Sequence, residues 1–318
     1  MLLIQLISPY IFIQRYKGVI WLIEVHFQEK EDARRLHTFL QQQSSAFEPL
    51  IHTILHFEDS HIVQCINKDK NSVQHSKKHL LQWLKKSLCQ FILTIKLNDW
   101  LKHILSTHYY YCDEDEQQQI IDIVHSVLNG KKEELTVFLP QMNIKEHIMF
   151  KIDDWFQEHA KFSFDAFVTF RLRSFMNELK KYVELSLDEY KMEQEYQMFI
   201  QMLREFLIDR DPKLQQLHLL FSDVTTFYDG EFNEIKRVEL AKMVDRKLLI
   251  NHPVYIDSVT IAPLLSIAPT RIYLYSDERD QPLIRTIQNI FEERVIRHSR
   301  ATFFEKRNHY GFSINDRM

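Results

Sequence analysis

Residues 165–190 read DAFVTFRLRSFMNELKKYVELSLDEY, residues 191–221 KMEQEYQMFIQMLREFLIDRDPKLQQLHLLF, and residues 259–277 VTIAPLLSIAPTRIYLYSD. Beginning just before the first stretch, Phe164, Phe167, Val168, Leu172, Phe175, Met176, Leu179 and Val183 recur mostly at steps of three and four, with Ser163 in place to cap the start of a helix. Met192, Tyr196, Phe199, Ile200, Leu203, Phe206 and Leu207 repeat the pattern, which predicts a second helix closed by Asp211-Pro212. Two striped helices in succession must bury their stripes on each other or on a sheet. Leu214–Phe221 and Val224–Tyr228 read as strands, and Asp229-Gly230 as the turn into Glu231–Ile235. Arg237–Leu249 and Val259–Ile267 read as helices, Arg271–Tyr275 as a strand and Pro282–Glu293 as a last helix.

Toward the N-terminus the pattern changes type. Leu22–Phe27 alternates as a half-buried strand does, and Glu29–Gln43 carries Ala33, Leu36, Phe39 and Leu40 at helical spacing. Leu50–Phe57 and His61–Ile66 flank the short turn Glu58-Asp59-Ser60, completing a small β-α-β-β unit. Ser76–His108 is apolar at helical spacing, with a break expected near Asn98. Asp113–Glu116 places carboxylates where they complement the positive end of a helix, and Asn129-Gly130 stops it. Lys131–Leu139 and Ile144–His159 read as shorter helices on either side of Pro140. The expected fold class is therefore α+β and helix-dominated: the β-α-β-β unit, a helical middle, and a C-terminal helix pair with a small sheet. The expected divisions are 22–140, 141–298 and a basic tail over 299–318.

Residues 1–21 stand apart. Met1–Ile13 is apolar but shorter than the roughly 20 residues needed to span a bilayer, and no Lys or Arg precedes it as in an export signal. Lys17-Gly18-Val19-Ile20 can be encoded as a ribosome-binding sequence, which would make Leu22 the native start and 1–21 an extension on paper. The intact mass of protein made from its own locus tests that expectation.

Composition excludes several function classes. At 318 residues, 45% hydrophobic and 26% charged, with a net charge of -4, this is an ordinary globular chain without the basic surplus of a protein that coats nucleic acid. Gly18, Gly130, Gly230 and Gly311 are its only glycines, so no phosphate-cradling loop or dinucleotide fingerprint can be built. Cys65, Cys89 and Cys112 are odd in number and never form a C-x-x-C pair, which points to a reduced, cytoplasmic chain without a zinc site or disulfide framework. No H-E-x-x-H or G-x-S-x-G is present. The close pairs His52/His56 and His75/His79 lack a third ligand at a convincing spacing, so neither metal nor cofactor is expected.

FVTFRL at Phe167–Leu172, EQEYQMFIQMLREFL at Glu193–Leu207, the Leu217-His218 strand and IAP-x-x-I at Ile267–Ile272 together resemble the YtxC-like family, which is linked to sporulation in endospore-forming Firmicutes. The resemblance covers about Phe164 to Val295. It implies a bacterial cytosolic setting and a link to sporulation, and it carries no catalytic residue.

Two groups of residues draw attention on chemical grounds. Arg171 lies four residues after Phe167 and four before Phe175, inside the stripe, where a lone guanidinium would be costly. Its expected partner is Glu193 or Glu195 on the following helix; the alternative is an anion or partner-carboxylate site shared with Arg173. The segment from Arg294 carries Arg297, Arg300, Lys306 and Arg307 interleaved with Phe303, Phe304 and Tyr310, a composition suited to nucleic acid or an anionic surface if it is not docked on the acidic body. Carboxylate pairs such as Asp153/Asp154 read as solvated helix faces. The leading functional expectation is a non-enzymatic component that binds an unidentified protein partner, with no membrane span. The alternatives are a ligand or enzyme pocket around Arg171 and Arg173, and nucleic-acid binding through the tail.

Overall fold

The computed structural model describes residues 21–44, 53–58, 61–67, 73–132, 135, 139, 143–158, 161–208, 210–222, 224–245, 257, 259–278 and 281–315. The chain is α+β and helix-dominated. It forms two compact units, Met1–Lys191 and Met192–Met318, a division that falls inside a helix. Residues 1–20 and most of Lys131–Leu139 lie outside the described residues, and Trp21 opens the first strand.

The first unit holds a four-stranded sheet. β1 (Trp21–His26), α1 (Lys30–Ser44), β2 (Thr53–Glu58) and β3 (Ile62–Asn67) form the expected β-α-β-β unit, with β3 antiparallel to both β1 and β2. The sequence pattern does not announce β4 (Lys161–Ser163), which adds parallel to β1 and completes the order β2-β3-β1-β4. Ser163 then caps the next turn as expected, its Oγ accepting from Ala166 N at 3.4 Å.

Helices enclose the core of this unit. α2 (Val73–Phe91) passes into α3 (Leu97–His108) through a π-helical turn at Ile92–Lys96, which lies before the break expected near Asn98. Lys96 is buried there, held by Asp32 of α1 at 2.7 Å and Asp99 at 3.3 Å, while Arg35 bonds Asp99 through two nitrogens at 2.7 and 3.2 Å. α4 (Glu114–Leu128) starts on Asp113, whose carboxylate accepts from Asp115 N and Glu116 N at 3.0 Å, and stops at Asn129 with Gly130 at φ 69°. α5 (Ile144–Glu158) follows.

After α3 the chain turns at Tyr110, which adopts φ 61° and is 83% exposed, so that Tyr111 N can donate to Leu105 O at 3.0 Å. A Cβ in the left-handed region costs about 1–2 kcal/mol, and only glycine escapes that cost. Tyr110→Gly is therefore expected to raise stability by about 1 kcal/mol in urea denaturation. An unchanged or lower midpoint would contradict it.

The two helices expected between Phe164 and Leu207 differ from those observed. A short turn at Phe164–Ala166 and a π-helical turn at Phe167–Arg171 lead into one continuous helix, α6 (Arg173–Ile208). Nothing in Asp188-Glu189-Tyr190-Lys191 breaks a helix, since no glycine or proline interrupts it. Phe175, Leu179 and Val183 belong to the core of the first unit, and Ile200, Leu203 and Leu207 to that of the second.

The second unit is a five-stranded sheet, ordered β7-β6-β5-β8-β9: β5 (Gln216–Leu220), β6 (Thr226–Tyr228), β7 (Glu234–Ile235), β8 (Arg271–Tyr275) and β9 (Val295–His298). β5, β8 and β9 are parallel, and β6 and β7 antiparallel additions. Leu217, Leu219, Phe227, Ile272 and Leu274 form one hydrophobic core with side chains of α7 (Arg237–Met243), α8 (Ile261–Ile267) and α9 (Pro282–Phe291). By the alternation of strands, the residues between them point the other way. There α10 (Arg300–Asn315) packs through Phe303, fully buried with Leu220, Tyr228, Phe232 and Tyr275. Most of the segment expected to be a tail, 299–318, is thus a docked helix, preceded by the ninth strand.

Candidate functional site

The stripe around Arg171 is rearranged by the π-helical turn. Such a turn inserts one extra residue, so the bond from Leu172 N reaches Phe167 O, 3.1 Å away and five residues back. Leu172 takes the inward position that a regular helix gives to Arg171, and Phe167, Leu172 and Phe175 are fully buried. Arg171 is displaced outward, where its guanidinium lies 5.2 Å from the Trp155 ring and 3.1 Å from Asp154. Asp153, the other carboxylate read as solvated, binds Lys85 at 2.8 Å.

The expected ion pair with Glu193 or Glu195 is replaced by this arrangement. Those residues lie on the continuation of α6, which provides no second helix for Arg171 to face. Glu193 is exposed and accepts from Gln197 at 3.0 Å, and Glu195 and Arg173 are also exposed. The extra residue of the π turn has one further consequence. Phe170 is 73% exposed beside Arg171, and Phe150, one turn before Asp154 on the same stripe of α5, is 67% exposed. The two segments joined by the Arg171–Asp154 ion pair thus each carry an exposed aromatic ring.

The basic residues near the C-terminus meet a different surface. On the face of β5, β6, β8 and β9 turned toward α10 stand His218, Tyr228, Tyr273, Tyr275 and His298, brought into register by the sheet. The His218 ring stacks on Phe232 at 4.2 Å, on Tyr273 at 4.9 Å and on Tyr275 at 5.8 Å. Phe232 holds its place from a left-handed backbone at φ 62°, whereas Gly230, the expected turn residue, does not use its freedom. His218 Nδ1 lies 3.0 Å from the Tyr275 hydroxyl, and its buried Nε2 has no hydrogen-bond partner.

Burial, reinforced by Lys306, pushes His218 down to about 4, and burial pushes Tyr275 up to about 12. Both are uncharged near neutrality. His298 is lowered by burial and by Lys306, whose Nζ lies 3.2 Å from its Nε2. An ammonium only donates, so Nε2 accepts and the ring proton sits on Nδ1. Lys306 also lies over the Tyr273 ring at 5.3 Å and Arg307 over Tyr228 at 5.5 Å. Arg297 donates to Glu278 O at 3.1 Å, and Arg300 N to Asp277 at 3.0 Å. Lys306 and Arg307 thus contribute to fixing α10 on the sheet.

The signal that finds this face in the sequence is the period-two alternation of His218 with Leu217 and Leu219, and of Tyr273 and Tyr275 with Ile272 and Leu274. Asp154 and Trp155 were not legible as partners of Arg171, because no spacing links α5 to the π turn.

Among the described residues no group of three or more His, Cys, Asp or Glu side chains is placed to hold a metal, and His52 lies outside them. Cys65, Cys89 and Cys112 are free; burial pushes the Cys65 thiol up to about 12. No helix among the described residues is long and apolar enough to cross a membrane.

The sequence profile of the YtxC-like family matches residues 82–296. An uncharacterized protein of Bacillus subtilis (strain 168), YtxC, is 32% identical over 277 residues, covering 86% of this chain and 93% of the relative. No solved structure matches. With the profile spanning the rearranged Arg171 segment and most of the second sheet, the chain belongs to the YtxC-like family.

Proposed function

We propose that the protein is a non-enzymatic interaction component, acting in the cytoplasm during sporulation by binding a protein partner. The observation that supports this reading is the exposure of Phe150 and Phe170 on the two segments that the Arg171–Asp154 ion pair joins. Aromatic rings and arginine are the side chains most often found at the centre of protein interfaces, where they bury much area for little lost freedom. Beneath them Phe167, Leu172 and Phe175 are fully buried, which favours a packed core there over a ligand or enzyme pocket. Lys306 and Arg307 already lie over Tyr273 and Tyr228, which does not favour the nucleic-acid reading. The sporulation setting rests on the family resemblance.

A photo-crosslinking phenylalanine analogue placed at Phe170 in sporulating cells should give a discrete adduct that Arg171→Glu removes. The same analogue at exposed Val238, in the second unit, should give none. Equal labelling at both positions would sink the interaction reading, and an unchanged count of heat-resistant spores in a deletion strain would sink the sporulation setting.

A further inference from the structure

A cavity of about 510 Å³ opens in the first unit among α3, α4, α5 and the π-helical turn at Ile92–Lys96. Its size is that of a small-molecule site. Leu93, Leu97, Leu128 and Ile144 supply aliphatic walls, and four polar residues complete the lining: His125, Asn129, Asn143 and Lys145.

The polar groups have one bias. His125 Nε2 lies 2.7 Å from Asn98 Oδ1, a carboxamide oxygen that only accepts, so the ring proton sits on Nε2. Burial lowers His125 against the opposing charge of Asp122, which disfavours its charged form. Asn143 uses its Oδ1 to accept from Glu146 N at 3.2 Å and its carbonyl to accept from His147 N at 2.9 Å. It thereby caps α5 and keeps its NH2 group as a donor. The positive end of that 15-residue helix meets the cavity at Asn143, Ile144 and Lys145. Lys145 adds an exposed ammonium, while its carbonyl faces the Cys89 thiol at 3.7 Å. Among the described residues no carboxylate lines the cavity.

Aliphatic walls meeting a cationic, donor-rich rim suit a ligand with an apolar tail and one negative head. We propose that this cavity binds a short-chain monocarboxylate, its tail against Leu93, Leu97 and Leu128 and its head at Asn143 and Lys145. This site is separate from the Phe150–Phe170 surface and does not depend on the partner-binding reading.

Octanoate is the probe, titrated into the full chain by calorimetry and followed by amide NMR shifts. Saturable binding with a Kd below about 1 mM is expected, within reach for a ligand of this size. Acetate, lacking the tail, and octylamine, carrying the opposite charge, should bind at least about tenfold more weakly if the rim is electrostatically selective. Lys145→Glu, an exposed substitution that leaves the core intact, should weaken octanoate about tenfold with an unchanged melting temperature. Leu128→Trp, which fills the cavity, should abolish saturation. Octanoate binding that is absent, equal in Lys145→Glu, or matched by octylamine would overturn the proposal.

Discussion

Phe303→Ala is expected to destabilise the second unit by about 3–5 kcal/mol, the usual range for removing a fully buried phenylalanine. The ring is completely enclosed, with centroids 4.8 Å from Tyr228, 5.1 Å from Tyr275 and 5.6 Å from Phe232. Its loss removes the apolar anchor of α10, leaving Lys306 and Arg307 to hold the helix by contacts over aromatic rings. Such contacts contribute only about 0.5–1 kcal/mol each at exposed sites. Hydrogen exchange on the full chain should therefore show loss of protection through 300–309 and faster exchange in β8. Phe304→Ala is the control, because its ring is 48% exposed and should cost under about 1 kcal/mol. Similar behaviour of the two variants would show that the C-terminal segment is not packed as described.

The contrast between those adjacent phenylalanines explains why the segment reads as a tail. One buried ring in a helix whose other apolar residues are scattered among charged ones leaves almost no periodic signal, so local composition alone suggests a solvated end. β8 is the opposite case. In Arg271–Tyr275, Ile272 and Leu274 alternate with Tyr273 and Tyr275, and that alternation gives both the strand and the different chemistry of its two faces. The capping of α4 by Asp113 and its stop at Asn129-Gly130 are equally local, and equally legible. β4 was not, because its three residues become a strand only by pairing with β1, more than 130 positions earlier.

The Arg171 segment shows a subtler limit. Its spacing of four from Phe167 and to Phe175 describes a regular helix correctly, and a regular helix would bury the guanidinium. The structure avoids that cost by inserting one residue into the turn, which gives the inward position to Leu172 and exposes Phe170. A buried charge in a sequence pattern therefore signals either a partner or a change of helical register. Here both occur, with Asp154 as the partner. The exposed aromatic produced by the same shift is what makes this segment a candidate surface.

Acid should destabilise the second unit through His218. An unfolded histidine titrates near 6.5, whereas burial first, then Lys306 and His298, hold His218 down at about 4 against the opposing charge of Asp229. Between those values the unfolded chain binds a proton that the folded chain refuses, so stability rises with pH across the window. The contribution is complete above about pH 6.5 and is lost as pH falls toward 4, a change of about 3 kcal/mol for this one group. His298, lowered by burial and by Lys306, acts in the same direction, as do His125 and His147 in the first unit. His218→Phe isolates the effect: it retains an aromatic ring between Phe232 and Tyr273 while removing the titration. Urea midpoints monitored through the second sheet should fall less between pH 7 and 4.5 in this variant than in the wild type. Nitrogen NMR of the His218 ring supplies the direct measurement. A neutral imidazole down to about pH 5 is expected, and titration near 6.5 would refute the link between its burial and acid sensitivity.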